Sequence, residues 1–244
     1  MSRGLGDVYK RQNVNLGYDF ITDMLVLEFT IDDKIIDVHR NDNPWLGRAA
    51  QSLAEALRLV ASKKLDIEFT ELVTGYRLRT GAEASYIDIY LYDSLSSGAG
   101  YAVSVADVIA EILSDMKELL SSCNCGAACS KCLKHYRNQY VHGILDRFAA
   151  LQLLEWGIKG IKALPIKTET QINMIMPLTN ILKQSGCKIT VDDEIVVNGP
   201  KKTKKVAIYP AMWVEPCATN TIFVSDAYIK YAKPYAVQKI LDNI

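Results

Sequence analysis

Four cysteines fall within ten residues, Cys123-x-Cys125-x3-Cys129-x2-Cys132, and no other feature of the chain restricts its local fold so tightly. Clustering of this kind belongs to metal sites rather than to a disulfide framework, and the other two cysteines, Cys187 and Cys217, stand alone far downstream. Zn2+ favours a closed tetrahedron of soft thiolates at ~2.3 Å when its role is structural. Gly126, Ala127 and Ala128 separate the second and third ligands; their small size lets the backbone wrap tightly and aim amides at the sulfurs. Four protein ligands leave no open coordination position, so the expected Zn2+ is structural and not catalytic. An iron-sulfur cluster takes the same ligand type and is the alternative.

Hydrophobic residues make up 49% of the 244 positions and charged residues 23%, the composition of an ordinary folded protein. Lys and Arg together number 28, as do Asp and Glu, so no global charge draws the chain to a polyanion and any nucleic-acid contact must be local. No apolar run reaches the ~18 residues a membrane span needs, and the N-terminus lacks signal-peptide order, which points to a cytoplasmic protein with no membrane partner. There is no G-x-x-x-x-G-K-[ST] loop, so Asp192-Asp193-Glu194-Ile195 is not an ATPase motif and the chain is not expected to hydrolyse ATP by itself. Phosphodiesterase H-x-K, G-x-S-x-G and H-E-x-x-H motifs are absent too.

Residues 1–12 (MSRGLGDVYKRQ) carry no apolar period and are set aside as a non-native or disordered leader. GDVYKRQ is similar to translated sequencing-adapter read-through, which implies that the rest is the C-terminal piece of a longer protein. Beyond it, alternation over 22–31 predicts a half-buried strand, with Leu25, Leu27, Phe29 and Ile31 on one side. Asn43 and Pro44 then open an amphipathic helix that runs to Lys63 and Lys64. Strands are predicted over 66–73 and 86–92, a second helix from Val105 into Cys123, and a third over 144–157 ended by Gly157 and Gly160. Six of the seven prolines lie at or beyond 165, which places a boundary near 164. A helix over 169–184, a hairpin of 187–197 with 206–209 through Asn198-Gly199-Pro200, and a strand at 222–225 follow. The expected fold is α/β in the α+β sense: a mixed sheet with packed helices and a four-cysteine zinc knuckle over 13–164, then a small α+β C-terminal subdomain over 165–244.

Beside the cysteines, Lys131, Lys134, Arg137 and Arg147 oppose Asp146 alone, with His135, Tyr136, Tyr140 and His142 interleaved. Basic groups steer phosphates and flat rings stack on bases, so Lys131, Lys134, Arg137, Tyr136, His142 and Arg147 are candidate nucleic-acid contacts. A solvated basic face around a knuckle gives the same pattern. His142 and Asp146, four apart, suit either a proton-transfer pair or a salt bridge fastening the knuckle to a helix. The turn Ser96 to Gly100 between strand and helix makes Ser97, Gly98 and Gly100 a possible anion loop, though a plain strand-to-helix turn reads alike. A hydrolase or nuclease would need Asp88, Asp93, His142 and Asp146 to converge near that turn, and a pure protein-docking module is the other alternative. Lys201, Lys202, Lys204 and Lys205 read as a solvated hairpin tip.

The order of these pieces is itself informative. DSLSSGAGY from Asp93 to Tyr101, a long helix, CNCGAACSKCLKHYRNQYVHGILDRFAALQLL from Cys123 to Leu154, and the opening NLGYDFITDMLVLEF resemble the domain at the C-terminus of MrfA-type superfamily-two DNA helicases. The same domain forms much of DrmB, the partner of a separate helicase in the DISARM anti-phage system. The resemblance covers about residues 15–157. It implies a zinc-binding accessory domain, with the metal on the four clustered cysteines, working on DNA beside a helicase motor, fused upstream or separate, in DNA repair or anti-phage defence. Members often carry Pro-Gly-Gly-Ala-Gly-Tyr where this chain has Ser96-Ser97-Gly98-Ala99-Gly100-Tyr101, so the proline and one glycine are replaced. Residues beyond 164 resemble nothing nameable.

Overall fold

The computed structural model describes residues 19–38, 43–81 and 84–244. The leader over 1–12, and His39, lie outside them. In chain order the elements are β1 (Met24–Ile31), α1 (Pro44–Leu65), β2 (Leu72–Thr80), β3 (Ser85–Asp93), α2 (Tyr101–Asp107), α3 (Ile109–Ser122), α4 (Arg147–Lys159), α5 (Thr168–Gln184), β4 (Lys188–Val191), β5 (Ile195–Asn198), β6 (Thr203–Tyr209), β7 (Thr221–Ser225), α6 (Asp226–Tyr231) and α7 (Lys233–Leu241). Short 3-10 turns occupy Phe69–Glu71 and Tyr136–Val141. The fold is α+β.

The first sheet has the order β1-β3-β2 and is antiparallel throughout. Its central strand buries Ile87, Ile89 and Leu91 completely on one face. On that face lies α1, whose buried positions run round most of its circumference, the mark of a helix enclosed in a core. Ala49, Ala50, Ala54, Ala56 and Ala61 are fully buried, and such small residues let α3 and α4 approach α1 closely. The helix starts where expected: the Asn43 side chain accepts from Trp45 N at 3.0 Å, ahead of Pro44.

Three boundaries differ from the sequence reading. The strand expected over 66–73 begins only at Leu72, because its ladder partner β3 ends at Asp93, opposite Leu72. Asp66 instead closes α1 in the left-handed region at φ 53°. The single helix expected before Cys123 is broken at Val108, and the second piece turns Ile112, Met116 and Leu120 into the core. The third helix opens at Arg147 and passes through Gly157 to end at Gly160, φ 64°. Gly157 sits inside it because a Cβ there would lie 2.0 Å from the Phe29 ring.

A second apolar core gathers Ile175, Leu178 and Leu182 of α5, Ile195 and Val197 of β5, Val206 and Ile208 of β6, Ile222 and Val224 of β7, and Val237 and Ile240 of α7. Its sheet has the order β4-β5-β6-β7. The text expected as one hairpin makes two, β4–β5 and β5–β6, and β7 then pairs parallel with β6. The mixed pairing thus lies in this second sheet. A parallel pair requires a crossover, and the crossover from β6 to β7 carries Ala211 and Met212 into the first core. There Asp37 N donates to Met212 O at 3.1 Å, Val214 N to Ile35 O at 3.0 Å and Trp213 Nε1 to Ala163 O at 3.0 Å.

Candidate metal centre

Helix α3 ends at Cys123, whose extended backbone, φ −82° and ψ 138°, turns the chain into the knuckle. The four Sγ atoms of Cys123, Cys125, Cys129 and Cys132 all lie within 4.8 Å of one another, the one such cluster of possible metal ligands among the described residues. Three edges of that tetrahedron are 3.5 Å for Cys123 to Cys129, 3.6 Å for Cys125 to Cys132 and 3.9 Å for Cys129 to Cys132. Bonds of ~2.3 Å to one central ion give edges of about 3.8 Å, so the donor set fits a single Zn2+. An iron-sulfur cluster divides its four cysteines among two or four irons, and thiolates on different irons stand wider apart than these. Cys129 N donates to Cys132 Sγ at 3.2 Å, an amide-to-sulfur bond that would steady a thiolate. Burial pushes the Cys132 thiol up to about 12, so a metal taken up there displaces a proton.

The knuckle is clamped from both sides. Arg147 is buried; its Nε donates to Cys125 O at 3.1 Å, its Nη1 to Leu120 O at 2.9 Å, and its backbone N to Ala127 O at 2.9 Å. One guanidinium therefore ties the C-terminal end of α3 to the ligand loop, a favourable place for a cation. On the other side, Asn138 is fully buried and makes its full complement of four hydrogen bonds. Its Nδ2 donates to Glu55 Oε2 at 2.8 Å and Leu133 O at 2.9 Å, and its Oδ1 accepts from His135 N at 2.7 Å and lies 2.9 Å from His142 Nε2. His135 O, an acceptor, is also 3.1 Å from that nitrogen, so His142 Nε2 is the protonated one. The His135 ring stacks on Phe69 at 4.2 Å, and Arg58 lies over Phe69 at 3.8 Å.

The remaining candidates separate. His142 engages Asn138 and not Asp146, so neither a proton-transfer pair nor a salt bridge forms between them. Asp146 caps α4 by accepting from Phe148 N at 2.9 Å and Ala149 N at 3.3 Å. Its other oxygen accepts from Lys230 Nζ at 3.1 Å and from the Tyr231 hydroxyl, which joins α4 to α6. Asp93, fully buried, already fills the possible anion loop: its carboxylate accepts from Ala99 N at 2.6 Å, Tyr101 N at 3.1 Å and Ala102 N at 2.8 Å. Ser97 N donates to Ile21 O at 2.7 Å and Gly98 N to Leu95 O at 3.1 Å. The loop from Ser97 to Ala102 thus uses the amides of Ser97, Gly98, Ala99, Tyr101 and Ala102 on the chain's own anion and backbone. Asp88 lies on the opposite sheet face, held by Arg77 at 2.8 Å and Arg79 at 2.6 Å, which keep its carboxyl below the usual carboxylate range with Arg79 the larger cause. The four side chains a nuclease would need do not meet. With Arg147 turned inward, Lys131, Lys134, Arg137 and Tyr136 are left on the surface side. Sequence reasoning missed Asn138 and Glu55; a lone Glu among the apolar positions of α1 was the available signal.

Residues 53–133 match the model of the MZB family, the MrfA Zn-binding domain. That stretch runs from α1 to just beyond Cys132 and contains all four ligands. Over 229 residues the chain is 32% identical to the Druantia protein DruE of Escherichia coli (strain UMEA 4076-1), covering 89% of this chain and 12% of that protein. The chain thus spans about an eighth of its curated relative. A crystal structure of the DUF1998 helicase MrfA bound to DNA overlaps 49% of this chain and 15% of that one at 20% identity and a TM-score of 0.37, a likeness too loose to bear on the fold. No described helix is long and apolar enough to cross a membrane. With four thiols closed around a zinc-sized space, the segment 53–133 matches an MrfA-type zinc-binding domain.

Proposed function

We propose that residues 13–164 are a non-catalytic accessory domain of a DNA helicase system acting in anti-phage defence, with 165–244 as a small α+β subdomain fastened to it. The observation that carries this reading is the closed four-thiol centre placed beside a solvent-facing basic segment. A centre with four protein ligands offers no position for water or substrate, so its metal would hold the segment in shape and perform no chemistry on a bound molecule. From Cys123 to Leu145 the chain has Lys131, Lys134 and Arg137 and no acid, three positive charges minus none. Such a segment suits phosphate contacts. The likeness to a Druantia protein supports the defence setting, and a superfamily-two motor, fused or separate, would supply the ATP-driven step.

The experiment is a salt titration of DNA binding by fluorescence anisotropy, wild type against a Lys131→Gln, Lys134→Gln, Arg137→Gln variant. Log affinity should fall linearly with log salt, and the variant's slope should be shallower by about 2 to 3. A wild-type protein that binds DNA at no salt concentration would refute the nucleic-acid part of the reading. Phage challenge of cells carrying the complete operon, with and without Cys129→Ser, tests the defence part: equal protection by both would refute it.

A further inference from the structure

The turn that follows the ligands presents a face the metal centre does not use. The segment Tyr136–Val141 is two short turns joined across a kink at Asn138, and its buried positions are Asn138 and Val141. Tyr136, Arg137, Gln139 and Tyr140 consequently face outward. Tyr136 is 75% exposed and Tyr140 76%. Tyrosine rings ordinarily bury much of their surface, and these two stand open on a segment that is rigidly mounted. Asn138 anchors it to α1 through Glu55, His135 caps it by accepting from Arg137 N at 3.1 Å, and the His135 ring rests on Phe69.

Charge supplies the second half of the argument. The Arg137 guanidinium lies 5.9 Å from the Tyr136 ring centroid, and Lys131 and Lys134 precede the turn in the chain. Among the described residues none of these three cations is paired with an acid. Elsewhere the exposed cations are often matched, as Lys64 is with Glu111 at 2.6 Å and Lys117 with Glu155 at 2.6 Å. Open rings beside unmatched cations complement a polyanion that carries flat apolar faces. A duplex hides its base faces within the stack and offers only phosphates and groove edges to such a surface, whereas an unpaired strand offers both.

We infer that Tyr136 and Tyr140, with Lys131, Lys134 and Arg137, form a stacking platform for the unpaired bases of single-stranded DNA. This rests on the nucleic-acid contact proposed above and adds the kind of strand and the groups that read it. Ring faces accept every base, so the platform is indifferent to sequence. The rings supply preference for unpaired strands, and the cations supply affinity for any strand.

The 244-residue chain is titrated with labelled oligo(dT) of ~20 nucleotides, longer than one small site, and with a duplex of equal phosphate count. Oligo(dT) should bind more tightly. Tyr136→Ala and Tyr140→Ala should each weaken oligo(dT) binding about tenfold while leaving duplex binding and the salt slope unchanged. Tyr136→Phe keeps a ring and should bind as wild type, while Tyr136→Leu keeps bulk without a π face and should weaken binding as the alanine variant does; zinc content measured on each variant shows that the fold is kept. Alanine or leucine variants that hold oligo(dT) as tightly as wild type would overturn the platform, as would equal or tighter binding of duplex. Duplex binding with a normal salt slope would then leave the broader nucleic-acid contact standing, whereas no binding of either probe would remove both.

Discussion

Around α1, buried aliphatic side chains share the interior with Cys132, a capped Arg147 and the Asn138 to Glu55 pair, while the core beyond residue 165 is made almost wholly of Ile, Val and Leu from α5, α7 and the second sheet. The first core thus includes groups that are costly to bury unless each finds its partner. The second rests mainly on apolar area removed from water. A region that closes over a metal and a polar network has more ways to lose its fold at a single position. It also gains a surface whose shape is held independently of large apolar burial, which is what a protruding basic turn requires.

The sharpest test of that contrast is removal of one ligand. Cys129→Ser should abolish stoichiometric zinc and melt the first core, since structural zinc supplies on the order of 10 kcal/mol or more to folding, comparable to a domain's whole stability. Hydrogen exchange should show protection lost in α1 and α3 and retained in β5 and β6; loss in both would make the two cores a single cooperative unit. The converse variant, Leu178→Ala, empties a fully buried site in the second core and should cost about 2–5 kcal/mol in chemical denaturation with zinc content unchanged. Asn138→Ala takes a hydrogen-bond partner from Glu55 Oε2, Leu133 O and His135 N and should cost about 1–3 kcal/mol, with looser zinc seen as faster transfer to a chelator. Ser97 holds φ 79°, a conformation that favours glycine, so Ser97→Gly should stabilise by about 1 kcal/mol and raise the melting temperature. The smallest effect concerns pH. Because Arg79 and Arg77 lower the folded-state pKa of Asp88, its contribution is present above the ordinary carboxylate value of ~3.9 and is lost as pH falls through the folded value. Asp88→Asn should flatten the acid limb of the stability curve by that one proton.

Much of this was legible because local chemistry and tertiary role coincide. The four thiols, the Asn43 and Pro44 start of α1, and the alternation in β3 each carry a short-range signal that the fold keeps. The Asp93 loop and Asp146 were not legible in the same way: the text shows glycines beside a helix and a His four residues from an Asp, and only packing decides which anion fills the amides and which partner takes the carboxylate. Gly157 misled for a similar reason, since a glycine that ends a helix and one that admits a neighbouring ring look alike in sequence. Arg147 reads from sequence as a candidate nucleic-acid contact, yet its aliphatic stem and fork are equally suited to the interior, where it clamps the knuckle.

The crossover between β6 and β7 also governs the order of events during folding. Residues 35–37 bind 212–214, partners roughly 175 positions apart along the chain; such pairs form late because loop closure must be met before the contact rewards it. The hairpins β4–β5 and β5–β6 close over short loops and can form early. The parallel register of β7 depends on the path of the crossover, so one connection completes both the last strand of the second sheet and a wall of the first core.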